Sequence, residues 1–185
     1  MINSNKPILG FAAYSGTGKT TLLEQLIPQL KKLGITSSII KHTHHKFDID
    51  TPGKDSYRLR RAGADQTLVA SGQRWALMVE ENPPKSDPVL ADLIPKIDHS
   101  KTDLILVEGF KHESIKKIEL HRPALDKPLM APHDPNIIAI ASDDLKLQTK
   151  HKNFNCPLLD INKPGQIAQF IKEYINSIGK TDDNK

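Results

Sequence analysis

The chain has 185 residues, enough for one substantial core and, at ordinary domain sizes, no reason to expect two. Its 37% hydrophobic and 26% charged residues exclude a disordered chain, and 5% aromatic content points to an aliphatic core. With 26 basic against 22 acidic residues the net charge is +4, a mild excess that suits an anionic ligand without calling for nucleic acid.

Cys156, the single cysteine, excludes an internal disulfide and fits a reducing compartment. It reads as a buried, inert thiol. Lys6 ahead of "ILGFAAY" imitates a short secretion signal, but the stretch runs straight into a glycine-rich turn and reads as a strand. Runs such as "LILV" and "IIAIA" are too short to span a bilayer. A cytoplasmic protein without membrane contact is expected.

Taken in order, short apolar runs alternate with helical patterns, the signature of a mostly parallel sheet covered by helices. Strands are expected at Ile8–Ala13, Ser38–His42, Thr67–Ala70, Trp75–Val79, Leu104–Val107, Lys117–His121, Ile137–Ala141 and Leu158–Ile161. Helices are expected at Lys19–Leu33, Lys54–Ala62, Pro88–Ile97 and Pro164–Ile178, followed by a polar, frayed tail from about residue 179. Leu22, Leu23, Leu26, Ile27, Leu30 and Leu33 form one stripe of the first helix, which Gly34 stops. Pro28 lies inside that stripe and predicts a kink or a break. "QTLVASGQRWALMVE" reads as two strands joined by Ser71-Gly72-Gln73, an antiparallel hairpin extending the sheet at an edge. Exposed ladder groups there invite a second copy of the chain, so a homodimer is expected. The whole is read as a single nucleotide-binding domain, 1–185.

The first strand runs into "AYSGTGKT", Ala13–Thr20, which matches a phosphate loop except that Ala13 replaces the first glycine. A methyl group is tolerated there if the backbone keeps negative φ. Backbone N–H groups of Gly16, Thr17, Gly18, Lys19 and Thr20 can wrap phosphate oxygens at the positive end of the helix dipole. Lys19 reaches the terminal phosphates, and the Thr20 hydroxyl is a Mg²⁺ ligand.

The metal also needs a carboxylate, and "TDLILVEGF" offers Asp103 and Glu108. Five strand residues at about 3.3 Å each put them roughly 16 Å apart, so one site cannot use both. Ligands of such sheets bind beyond the carboxyl ends of the strands, which selects Glu108 and makes Asp103 a strand-entry residue. Gly109 then permits close backbone approach.

After the second strand come Lys41 and His42, then His44, His45, Asp48 and Asp50 in a loop. This loop reads as surrounding phosphate, Mg²⁺ or substrate, with a transition-metal site as the alternative. Asp50 is a candidate for orienting an attacking water. Lys54, Arg58 and Arg61 share a helix face, solvated or facing an anion, and Arg74 adds basic character at the hairpin. "NIIAIASDD" ends in Ser142, Asp143 and Asp144. Asp143 can accept the N1–H and exocyclic amine of guanine, or Ser142 or Asp143 can cap a helix.

Together, "FAAYSGTGKTTLL", "IIKHTHH", "DTPGKDSYRLRRAGA", "VASGQRWALM", "DLILVEGFKH" and "IAIASD" resemble the MobB family of molybdopterin-guanine dinucleotide biosynthesis adaptors, over roughly residues 7 to 178. The resemblance implies a P-loop fold and a homodimer that binds GTP with Mg²⁺ and hydrolyses it weakly. It also implies partnership with a MobA-type guanylyltransferase that attaches GMP to molybdopterin, which is itself a further candidate ligand. Carried over, the family's phosphate loop falls on Ser15 to Thr21, so Ser15 and Thr21 join the site, and its acidic strand end falls on Glu108. Ala13 is part of the resemblance. Competing readings are a small-molecule kinase using the arginines of "SYRLRRAG", a metal-delivery GTPase using "HTHH", and a non-enzymatic scaffold.

Overall fold

A computed structural model describes residues 4–43, 47–85, 87–150 and 154–182. The chain divides into two compact units, residues 1–42 with 90–185, and residues 43–89. Strands occupy β1 (Ile8–Ala13), β2 (Ser37–Lys41), β3 (Gln66–Ala70), β4 (Trp75–Val79), β5 (Leu104–Glu108), β6 (Lys117–His121), β7 (Ile137–Ser142) and β8 (Leu158–Asp160). No bound differs from its expected position by more than one residue.

In the larger unit six strands pair in the order β2-β5-β1-β6-β7-β8, every pair parallel. β5 is buried along its whole length, which is why it reads as a continuous apolar run without alternation. On one face, Leu9, Phe11, Ile118, Leu120, Ala139 and Ala141 pack under α1 (Lys19–Lys32) and the final helix (Pro164–Asp182). That helix continues past Ile178 into the segment expected to fray.

Helix α1 also runs through Pro28 as one element, so the expected break does not occur. A proline inside a helix costs about 3 kcal/mol. Leu22, Leu23, Leu26 and Leu30 are all buried, and at roughly 1.5–3 kcal/mol each their burial outweighs it. Pro28 and Glu24, whose carbonyl loses its donor, are exposed, so water can satisfy the missing bond.

The helix expected at Pro88–Ile97 is shorter than the sequence suggests. A single turn, α3 (Leu90–Leu93), passes into a 3₁₀ turn at Ile94–Lys96. Pro95 has no N–H for an α-helical bond and tightens the chain there. Leu90 and Ile94 still pack against Ile105 and Val107 on the other face of the sheet.

On that second face β6 is unusual: Lys117, Glu119 and His121 alternate inward and are 2%, 0% and 7% exposed. The segments around them supply partners to all three, although His121 Nδ1 is buried without one among the described residues. Lys117 Nζ donates to the carbonyls of Lys111 (3.0 Å) and Glu113 (2.6 Å) and pairs with Asp134 (2.8 Å). The Glu119 carboxylate accepts the N–H groups of Met130 and Ala131, both at 2.8 Å. His121 Nε2 lies 3.1 Å from the Lys127 carbonyl. Burial raises the Glu119 carboxyl above its ordinary value, despite the two N–H donors. Burial, and the nearby Glu119, likewise raise the Cys156 thiol, which fits an inert cysteine.

The 43–89 unit holds α2 (Asp55–Arg61) and the hairpin β3-β4, in which Gln66 pairs with Val79 and Ala70 with Trp75. The hairpin is antiparallel as expected, but it forms its own two-stranded sheet and does not extend the parallel one. Of the face expected to be basic, Arg58 is exposed beside Asp55, and Lys54 precedes the helix as its N-cap. Arg60, two residues past Arg58, ties this unit together, with Asp48 at 2.5 Å and Glu80 at 2.9 Å. Leu68, Trp75, Leu77 and Val79 stay substantially exposed.

Candidate functional site

β1 ends at Ala13, and the chain turns through residues 14–18 into α1. Gly16 and Gly18 hold φ of 83° and 93°, a region a side chain disfavours, and these two residues let the loop curl back over the helix start. Ala13 is not at positive φ, so its methyl costs nothing. Thr17 pins the turn from inside: it is 2% exposed, and its hydroxyl donates to the Tyr14 carbonyl at 2.7 Å. Ser15, Gly16, Thr20 and Thr21 face solvent.

The helix start is electrically open. Its N-cap, Gly18, brings no side-chain acceptor, and the first turn, Lys19–Leu22, contains no acidic residue. The orphan N–H groups and the dipole of α1 therefore lack a local anion.

Glu108 supplies a negative charge beside Lys19. In the sheet register it pairs with Phe11 of β1 and Lys41 of β2, at the carboxyl edge where the loop begins. Lys19 Nζ lies 3.6 Å from one of its oxygens and Lys41 Nζ 3.4 Å from the other. The carboxylate is largely buried, while Lys41 is about half exposed. Two lysines therefore converge on one carboxylate at the mouth of the loop. Asp103 sits at the opposite end of β5, where the backbone and hydroxyl of Thr36 both donate to it. That is the strand-entry role expected of it, and these bonds hold its carboxyl below the ordinary value.

Gly109 follows Glu108 with φ 107°, and a Cβ there would lie 2.6 Å from the Cβ of His42. The His42 N–H donates to the Glu108 carbonyl at 2.8 Å, and its ring lies 4.9 Å from that of Phe110. His42 thus packs on the backbone that carries the carboxylate.

A residue that sequence reasoning missed completes the loop. Arg122, directly after β6, donates from Nε to the Thr17 carbonyl (3.0 Å) and from Nη1 to Asp143 (2.5 Å). Asp143 therefore meets the phosphate loop through an arginine. Ser142 is fully buried, and its hydroxyl accepts the Asp144 N–H at 3.1 Å, the cap-like arrangement. Beyond the ends of β6 and β7 lies a cavity of about 470 Å³, bordered by His121, Asp126, Lys127, Leu129, Asp144 and Leu147.

Asp50 and Arg74 belong to the 43–89 unit. Asp50 Oδ1 accepts the Thr51 N–H and the Ser56 hydroxyl, both at 2.9 Å. Arg74 closes the hairpin turn, its carbonyl accepting the Ser71 N–H at 2.8 Å. His44 and His45 lie outside the described residues. Among those described, no group of three or more His, Cys, Asp or Glu side chains gathers as a metal site, and no helix is long and apolar enough to cross a membrane.

Comparison with known proteins bears on this arrangement as a whole. The family described as molybdopterin guanine dinucleotide synthesis protein B matches residues 8–143. A molybdopterin-guanine dinucleotide biosynthesis adapter protein of Escherichia coli is 53% identical over 91% of this chain and 93% of its own length. The adapter protein of that name from Haemophilus influenzae is 44% identical over 95% of this chain and 93% of its own. Among solved structures, a molybdopterin-guanine biosynthesis protein B aligns with a TM-score of 0.67 at 23% identity, covering 91% of this chain and 99% of that one. Bacillus subtilis MobB aligns at 0.65 and 25% identity, covering 90% and 96%.

Proposed function

Because this chain belongs to the MobB family of molybdopterin-guanine dinucleotide biosynthesis adapters, we propose that it binds GTP at the loop of residues 15–21 and assists a MobA-type guanylyltransferase in attaching GMP to molybdopterin. The observation that carries the nucleotide reading is the pair Lys19 and Lys41 converging on Glu108, beside a helix start that lacks its own anion. A triphosphate would take the lysines and the loop N–H groups, and free the carboxylate.

Glu108 and the Thr20 hydroxyl are hard oxygen donors of the kind Mg²⁺ accepts, both at the carboxyl edge of the sheet. When bound, the ion would neutralise phosphate charge. Lys19 orients the terminal phosphates, and Gly109 lets the Glu108 backbone sit close to His42. Hydrolysis is slow in this reading, since the loop carries no glutamine to position water. Asp143 is the candidate guanine acceptor. Calorimetry on the purified chain is expected to show GTP bound about tenfold more tightly than ATP, since a carboxylate, even one about a third exposed, can pair the guanine edge and not the adenine one. Equal affinities would remove guanine from the assignment.

The homodimer is part of the same proposal. Leu68, Trp75, Leu77 and Val79 leave an apolar, unpaired hairpin in water, and two strands alone are marginal. Light scattering coupled to gel filtration is expected to give twice the 20.6 kDa chain mass, and Leu77→Asp to lower it toward one chain. A wild-type mass of one chain at high concentration rules the dimer out.

A further inference from the structure

Arg122 has no part in the function described so far, yet its side chain hydrogen-bonds the backbone of the phosphate loop from the end of a neighbouring strand. Its position follows from topology: β6 lies directly beside β1, and Ala13 pairs with Leu120, so the residue two past Leu120 emerges level with the loop. Nε then donates to the Thr17 carbonyl at 3.0 Å, while Nη1 is held by Asp143 at 2.5 Å. The guanidinium is about two-thirds buried, and its planar fork suits two acceptors at once.

The peptide unit that Arg122 grips joins Thr17 to Gly18. A trans peptide is planar, and its C=O and N–H point in opposite directions. Fixing the Thr17 carbonyl toward β6 therefore turns the Gly18 N–H away from β6, the strand opposite the β5 side that carries Glu108 with Lys19 and Lys41. Gly18 has no side chain to restrain it, and its φ of 93° lies where glycine moves freely. Thr17 itself is anchored through Tyr14, which fixes one end of this peptide but leaves its rotation open. The guanidinium supplies the missing restraint. Its charge is matched by Asp143, so it acts on the loop's geometry and adds little attraction for phosphate.

We propose that Arg122 is a positioning residue: held by Asp143, it locks the Thr17–Gly18 peptide so that the Gly18 N–H is preorganised to receive a phosphate oxygen. This rests on the nucleotide-binding reading above. It predicts a loss that depends on phosphate and not on the base, because the locked N–H meets only phosphate.

The test is calorimetric titration of the full chain with GTP and with inorganic pyrophosphate, in wild type, Arg122→Gln and Arg122→Lys, alongside ligand-free melting temperatures. Arg122→Gln is expected to weaken both ligands by the same factor, about tenfold, as for losing one charge-assisted hydrogen bond. Arg122→Lys keeps the charge but not the fork, and is expected to fall between the two. Equal loss for both ligands with an unchanged ligand-free melting temperature supports the proposal. Unchanged pyrophosphate affinity in a folded variant overturns it, and so does a loss confined to GTP, which would place Arg122 at the base. If Arg122→Gln does not fold, the Arg122→Lys titration decides by the same criteria. A wild-type chain that binds neither ligand overturns the nucleotide reading and this inference together, whereas normal wild-type binding with unaffected variants overturns this inference alone.

Discussion

Replacing Lys19 by alanine is expected to weaken GTP binding roughly 30- to 150-fold, about 2–3 kcal/mol, the range for hydrogen bonds to charged groups. The ammonium is the one full positive charge on the loop itself, and its present partner, Glu108, is a carboxylate that a phosphate would replace. Stability should hardly change. The contact with Glu108 is long at 3.6 Å, and Lys41 stays 3.4 Å from the same carboxylate after the substitution. Lys41→Ala is expected to cost less affinity, because that side chain is about half exposed and its charge is screened. Calorimetry at fixed ionic strength, paired with a thermal melt, separates the two quantities. Wild-type GTP affinity in a folded Lys19→Ala protein would sink the phosphate-loop assignment.

The second large effect concerns stability. Lys117→Met is expected to cost about 3–5 kcal/mol, the range for removing one partner of a buried ion pair. That is a large part of the 5–15 kcal/mol typical of a folded domain. Methionine retains the side-chain stem, which fills the space over Gly10, where an added Cβ would lie 2.8 Å from Lys117 Cγ. The loss therefore isolates the ammonium, which serves the Lys111 and Glu113 carbonyls and the Asp134 carboxylate together. Asp134 is partly exposed and can be rehydrated, which favours the lower end of the range.

The same pair sets an acid limb. Burial raises the Asp134 carboxyl, but the hydrogen bond and charge of Lys117, with the Asn136 N–H, more than offset this and leave it below its ordinary value. A depressed carboxyl contributes stability that is present above its unfolded value and lost as pH falls through the folded one. In Lys117→Met that contribution should shrink. Urea unfolding at neutral and acid pH measures both, and a loss under about 1 kcal/mol at neutral pH would refute the role given to this ammonium.

The central strands β1, β5 and β7 were legible because burial on both faces leaves an uninterrupted apolar run, as in "LILVE". Glu108 was legible by position alone: it stands at the carboxyl end of such a run, and Asp103 at the other. Arg122 was hidden because its importance depends on β6 lying next to β1, a pairing between residues 10–13 and 117–120 that no local pattern announces. The buried polar row of β6 was hidden for a related reason. Lys117, Glu119 and His121 alternate as solvent-facing residues would, and only the segments folded over them reveal that they point inward. The hairpin was recognised from its turn, but which sheet it joins is a tertiary property that turn chemistry leaves undetermined.

The placement of β1 also governs when the protein can fold. β1 precedes the other strands described yet is internal to the finished sheet, and both of its neighbours come late: Ile8 pairs with Ile105, and Ala13 with Leu120. Until Leu104–Glu108 has been synthesised, Leu9 and Phe11 have no strand on either side, whereas β3 and β4 can close locally. Such long sequence separations slow folding and prolong exposure of apolar strands. The nascent chain therefore carries its phosphate-loop strand unpaired until β5 is made, and any truncation before residue 121 leaves β1 short of a neighbour.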